Sequence, residues 1–204
     1  MTEQYDAIVV GGGPAGASAA ILLAQAGWSV ALVEKLRFPR RKVCGECIAA
    51  TNLALLDLLG IGKAFHKVAG VPLRKLAFMM GRHTVHADLP PLQNGAHSWG
   101  KALGREYLDT LLVARAAEVG ATVLQPWSVQ SITGGPGAYY CEAVAIESGE
   151  QRLLHAPVVI AAHGSWELAP DAATGTRQSK KPAAPPSSTV QAKRALPPSI
   201  KTST

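Results

Sequence analysis

Cysteine is scarce in this chain of 204 residues. Cys44, Cys47 and Cys141 are too few and too unevenly placed for a disulfide framework, which points to a reducing compartment. Aromatic side chains make up only 5%, and no basic stripe is interleaved with them, so a nucleic-acid groove is excluded. The start, Met1 to Asp6, lacks a basic leader. The apolar stretch behind it is broken by Gly11, Gly12, Gly13 and Pro14, so neither a signal peptide nor a transmembrane segment is expected and the protein reads as cytoplasmic. The formal net charge of +6 is concentrated late. Residues 169–204 hold six basic side chains against the single acid Asp171, which leaves residues 1–168 nearly neutral. That same stretch is rich in Ala, Pro, Ser and Thr and has only Val190, Leu196 and Ile200 as larger apolar side chains, so it is expected to be disordered. No metal site is expected either. Cys44 and Cys47 form C-G-E-C without a second such pair, and His83 and His86 on a strand would point to opposite faces.

What the chain does have is 48% hydrophobic residues, enough for one sizeable α/β core. The informative segment runs from Asp6 to Glu34. Ala7 to Val10 reads as a short buried parallel strand that ends in glycines. Gly11, Gly13 and Gly16 then give the G-x-G-x-x-G spacing: a tight turn, a close approach of backbone to a pyrophosphate, and close packing of helix on strand. A helix starts at Pro14, with its unpaired N–H groups suited to phosphate, and stops near Gly27. Ser29 to Val33 reads as a second buried strand. Glu34 closes it, 18 positions beyond Gly16, where an acid accepts hydrogen bonds from an adenosine ribose.

Further along, Lys35 to Cys47 reads as a basic loop and Ile48 to Leu59 as a helix stopped by Gly60 and Gly62. Cys47 is read as a small apolar residue at that helix start. Lys75 to Met80 and His83 to Leu89 look like an antiparallel pair, and Gly104 to Val119 like a second strong helix that returns through a strand at Ala121 to Leu124. Ser128 to Thr133, Tyr139 to Glu147 and Gln151 to His155 suggest a small β-meander. Val158 to Ala162 is an apolar strand suited to the parallel sheet. Arg105 stands at a helix start, where a cation is disfavoured unless an anion is also present. Asp109, one turn on, is either solvated or paired with it at i,i+4 spacing.

Three blocks resemble flavoproteins of the geranylgeranyl reductase and para-hydroxybenzoate hydroxylase group, which also contains flavin-dependent halogenases. They are D-A-I-V-V-G-G-G-P-A-G with its closing Glu34, F-P-R-R-K-V-C-G-E from Phe38 to Glu46, and R-E-Y-L-D-T-L-L from Arg105. A fourth, V-V-I-A-A-H-G at Val158 to Gly164, carries His163 where the group has an aspartate. The resemblance covers about residues 5–168. It implies an α/β fold: a Rossmann-like FAD-binding parallel sheet with a small β-meander over 1–168, the substrate domain largely missing, and a disordered C-terminal tail over 169–204. Members of that group are longer, and their later Gly-Asp motif has no counterpart, since no Gly-Asp dipeptide occurs here.

The resemblance also implies a set of cofactor-binding residues: Gly11, Gly13, Pro14, Ala15, Gly16, Glu34 and Lys35 from the opening unit, Lys42, Cys44 and Gly45 from the loop beside the flavin, and Arg105. Lys42, with Arg37, Arg40 and Arg41, either follows the pyrophosphate or is a solvated charge. The implied function is an FAD-dependent oxidoreductase of the reductase or monooxygenase type, with NAD(P)H as electron donor and a small-molecule or isoprenoid-like substrate. No side chain stands out as a catalytic acid, base or nucleophile. Two other readings stay open: a truncated or out-of-frame remnant that binds a dinucleotide weakly or not at all, and an NAD-binding module, since a ribose-binding acid alone does not separate NAD from FAD. The oligomeric state is not legible.

Overall fold

The structure, a computed structural model, describes residues 1–44 and 46–164. The expected tail, and the boundary at residue 168, lie outside the described residues.

The chain opens with β1 (Thr2–Gln4) and β2 (Ala7–Val10), then α1 (Pro14–Gln25) and β3 (Val30–Val33). Every residue of β2 and β3 is buried, as a strand covered on both faces requires. With β8 (Thr122–Leu124) and β12 (Val158–Ala161) they form a parallel sheet in the order β12-β2-β3-β8. The period-2 alternation of strand side chains divides their apolar residues between two cores. Val9, Val30 and Leu32 face the helices, meeting Ala17, Ala20 and Ile21 of α1 and Leu108, Leu112 and Ala116 of α4 (Arg105–Glu118). Ile8, Val10, Ala31 and Val33 face the other way, onto Cys141, Ala143, Leu154 and Ala156 of a second sheet.

That second sheet is the expected meander, β9 (Trp127–Gly135), β10 (Ala138–Ala145) and β11 (Gln151–Ala156), with β1 added in parallel on β11. The result is three layers: helices, parallel sheet and meander.

Between β3 and α4 the sequence reading needs correction. Cys47 does not start a helix. Cys47–Ile48 forms the two-residue strand β4, which pairs with β7 (Lys101–Ala102), and the helix α2 spans Ala50–Leu58. The expected stop at Gly62 begins a further helix, α3 (Gly62–Val68), whose Phe65 is fully buried. The antiparallel pair β5 (Lys75–Met80) and β6 (His83–Asp88) forms as expected, with Phe78, Met79, Met80 and Val85 exposed.

Candidate cofactor-binding site

The chain leaves β2 for β3 on one side of the sheet and returns in β12 on the other, and a cleft of about 410 Å³ opens at the carboxyl ends of these strands. A reversal of strand order is where open α/β sheets hold ligands. Gly11, Gly13, Pro14, Ala15, Glu34 and Lys35 all line this cleft, and so do Lys42 and Arg105, which the topology brings in from distant segments.

The glycines are fixed by crowding. Gly11 has φ of +108°, and a Cβ there would run into the Ala162 carbonyl. Gly16 lies beneath the cleft: a Cβ on it would collide with the Gly11 carbonyl oxygen and lie 3.0 Å from the Ala162 side chain. Gly13 is the N-cap of α1, and no side chain caps it; the first turn carries no acid. The N–H groups of that turn therefore face the cleft side of a positive helix end.

Glu34 is buried. Its Oε2 accepts the Gly12 N–H at 2.7 Å and its Oε1 the Leu36 N–H at 2.8 Å, which fixes the carboxylate while each oxygen keeps a further acceptor site. Gly12 was not singled out from the sequence. A Cβ there would press on Glu34 at 3.0 Å, so the middle glycine is needed as well.

Arg105 is the first residue of α4. Its Nε and Nη2 donate to the two carboxylate oxygens of Asp109 at 2.7 and 2.8 Å. Asp109 is wholly buried, so of its two sequence readings the solvated one is overturned and the paired one holds. The Asp109 carboxylate, and then Cys44 within hydrogen-bonding reach, hold the guanidinium above its ordinary pKa against the opposing effect of burial. Cys44 is exposed and lies with Lys42 and Arg105 in an adjoining cleft. Gly45 lies outside the described residues.

The basic loop separates into two sets. Arg37 is engaged by both oxygens of Glu147, and Arg41 by Glu106 at 3.2 Å. Arg40 and Lys42 turn to the cleft. Among the described residues, Arg40 Nε and His163 Nδ1 are buried there without a hydrogen-bond partner, and both belong to the cleft lining. Their convergence was not legible locally: Arg40 is one of five cations in its loop, and His163 follows a strand more than a hundred residues later. Trp127, Ser128 and Val129 of β9 close the cleft from the meander side.

Residues 4–191 match the family described as FAD binding domain. This chain belongs to the FAD-binding domain family. It is 51% identical to the tryptophan 2-halogenase of Chondromyces crocatus over 164 aligned positions, covering 72% of this chain and 30% of that protein. It is 28% identical to the menaquinone reductase of Mycolicibacterium smegmatis, covering 73% and 35%. Among solved structures, a flavoprotein/dehydrogenase from Cytophaga hutchinsonii superposes with a TM-score of 0.69 at 29% identity, over 78% of this chain and 39% of that one. This FAD-binding domain thus spans about a third of the length of the curated relatives it matches. No helix among its described residues is long and apolar enough to cross a membrane. The donor set fits FAD: an uncapped helix start, cations on two further segments, and two buried polar atoms awaiting a partner.

Proposed function

We propose that the chain supplies the FAD-binding part of a cytoplasmic oxidoreductase of the reductase or monooxygenase type. The observation that carries this reading is the pair of unpartnered buried atoms, Arg40 Nε and His163 Nδ1, in the cleft that the α1 start opens into. A buried polar group without a partner costs about 1–3 kcal/mol, which a ligand carrying acceptor oxygens removes.

The backbone from Gly11 to Gly16, with Pro14 and Ala15, holds the diphosphate. Glu34 accepts from the ribose, beside Lys35. Arg105, Arg40 and Lys42 supply positive charge, and Cys44 and Gly45 belong to the loop along the flavin. Asp109 keeps the Arg105 guanidinium in place. FAD, when bound, supplies hydride and oxygen-activating chemistry. The described residues bind and orient, and none is proposed as acid, base or nucleophile. NAD(P)H is the proposed electron donor and a small-molecule or isoprenoid-like compound the proposed substrate.

Competition against bound FAD, followed by flavin fluorescence, tests the proposal. ADP should displace FAD and riboflavin should not, because recognition lies in the adenylate and diphosphate half. Arg105→Ala should weaken FAD by about 10- to 100-fold, the loss of a charge-assisted hydrogen bond. Riboflavin competing as well as ADP, with Arg105→Ala binding like wild type, would overturn it.

A further inference from the structure

Away from the cleft, three side chains widely separated in sequence meet on one patch. Asp57 lies near the end of α2, His66 near the end of α3, and His97 in the loop that leads to β7. One ligating atom from each lies within 4.8 Å of the other two. His97 Nε2 is 2.7 Å from Asp57 Oδ2, and the His66 and His97 rings are 5.0 Å apart, tilted by 40°. Gly62 makes the meeting possible, because a Cβ at that position would collide with Asp57 Oδ1. We propose that Asp57, His66 and His97 form a binding site for a divalent transition cation of the zinc class.

Two imidazoles and one carboxylate are a ligand set of the right chemistry, and three protein ligands leave a position for water. Zinc–ligand bonds of about 2.0–2.2 Å set tetrahedral ligand atoms roughly 3.4 Å apart, so His97 Nε2 and Asp57 Oδ2, now 2.7 Å apart, must part slightly while His66 closes in. Asp57 is half exposed and His97 partly so, which leaves a path for entry. Binding replaces the hydrogen bond between Asp57 and His97: the shared proton passes to His97 Nδ1 or to solvent, and the freed Nε2 and Oδ2 lone pairs take the cation. Lys101 is the cation that faces the site, and the Asp57 carboxylate offsets it. Burial, then Lys101 and His97, hold the His66 imidazole below its ordinary pKa.

The site would clamp the loop before β7 to α2 and α3. β7 pairs with β4, next to Cys44, and leads directly to Arg105. The site is thereby linked to the geometry of the cofactor cleft without belonging to it.

Titration of the metal-free protein with zinc, and with cobalt(II) as a spectroscopic probe, tests this. Wild type should take up one equivalent and melt at a higher temperature. Cobalt should give d–d bands of nitrogen and oxygen ligation, without the sulfur-to-metal charge transfer that Cys44 and Cys47 would produce. His66→Ala and His97→Ala should each weaken binding by more than the roughly 10- to 100-fold that loss of an outer partner costs, while Cys47→Ser binds as wild type does. Lack of uptake by wild type, a dominant sulfur charge-transfer band, or undiminished binding in both histidine variants would overturn the proposal. The cobalt spectrum of wild type decides even where a histidine variant fails to fold.

Discussion

Asp109 lies fully buried on the packed face of α4, where a lone carboxylate would be costly, and Arg105 one turn earlier satisfies both of its oxygens. Removing the carboxylate strips a largely buried guanidinium of its partner. Asp109→Ala should therefore lose about 3 kcal/mol of stability in urea denaturation, and Asp109→Asn less. Asp109→Asn, measured where it is folded, should also bind FAD more weakly, because Arg105 loses its anchor. An unchanged denaturation midpoint for Asp109→Ala would contradict this. At this scale the sequence was legible where spacing is short and local: Gly11, Gly13, Gly16 and Glu34 stand in one unit, in which the Gly11 carbonyl crowds Gly16 and Glu34 accepts from the turn at Gly12. It named Arg40 among the candidate pyrophosphate cations and His163 at the group's aspartate position, but not their meeting, which depends on how a loop and a late strand fold back on the same cleft.

Among the elements, β10 joins the meander to the parallel sheet through Cys141, which packs against the apolar face of β2 and β3. Burial pushes its thiol up from 9.0 to about 11. The sign follows directly. Below pH 9 the contribution is complete; between about 9 and about 11 the unfolded chain releases a proton that the native state keeps, so stability falls with rising pH. Cys141→Ala should flatten that part of the stability profile relative to wild type, and alkylation at pH 8 should label Cys44 and Cys47, both exposed, while sparing Cys141 until unfolding. Labelling of native Cys141 at the rate of the other two would contradict the assignment. Elements with strong periodicity were read correctly: β2, α1, β3, α4 and the meander. β1, β4, β7 and α3 were not. Two- and three-residue strands exist only through partners far along the chain, such as Thr2 opposite Leu153 and Cys47 opposite Ala102, and a glycine pair that looks like one helix end is also the start of the next helix.

At the scale of the described residues, the helices and the meander cover β2 and β3 of the parallel sheet from both sides, so the turn that leaves β2 stands between two cores at the mouth of the cleft. A preformed cradle of this kind spends little on ordering when a ligand arrives. Binding to the folded state alone should then stabilise it by about 2.7 kcal/mol at a ligand concentration 100 times the Kd. The three-layer arrangement was only partly legible in the sequence. The parallel sheet followed from apolar runs and glycine turns, whereas the stacking of the meander on it rests on small residues such as Ala143 and Ala156, which carry no strong pattern of their own. The most direct measurement is a calorimetric titration of the folded, flavin-free chain with FAD. A saturable isotherm near one FAD per chain, with a matching rise in melting temperature, is the predicted result; a folded protein that gives neither would contradict the account.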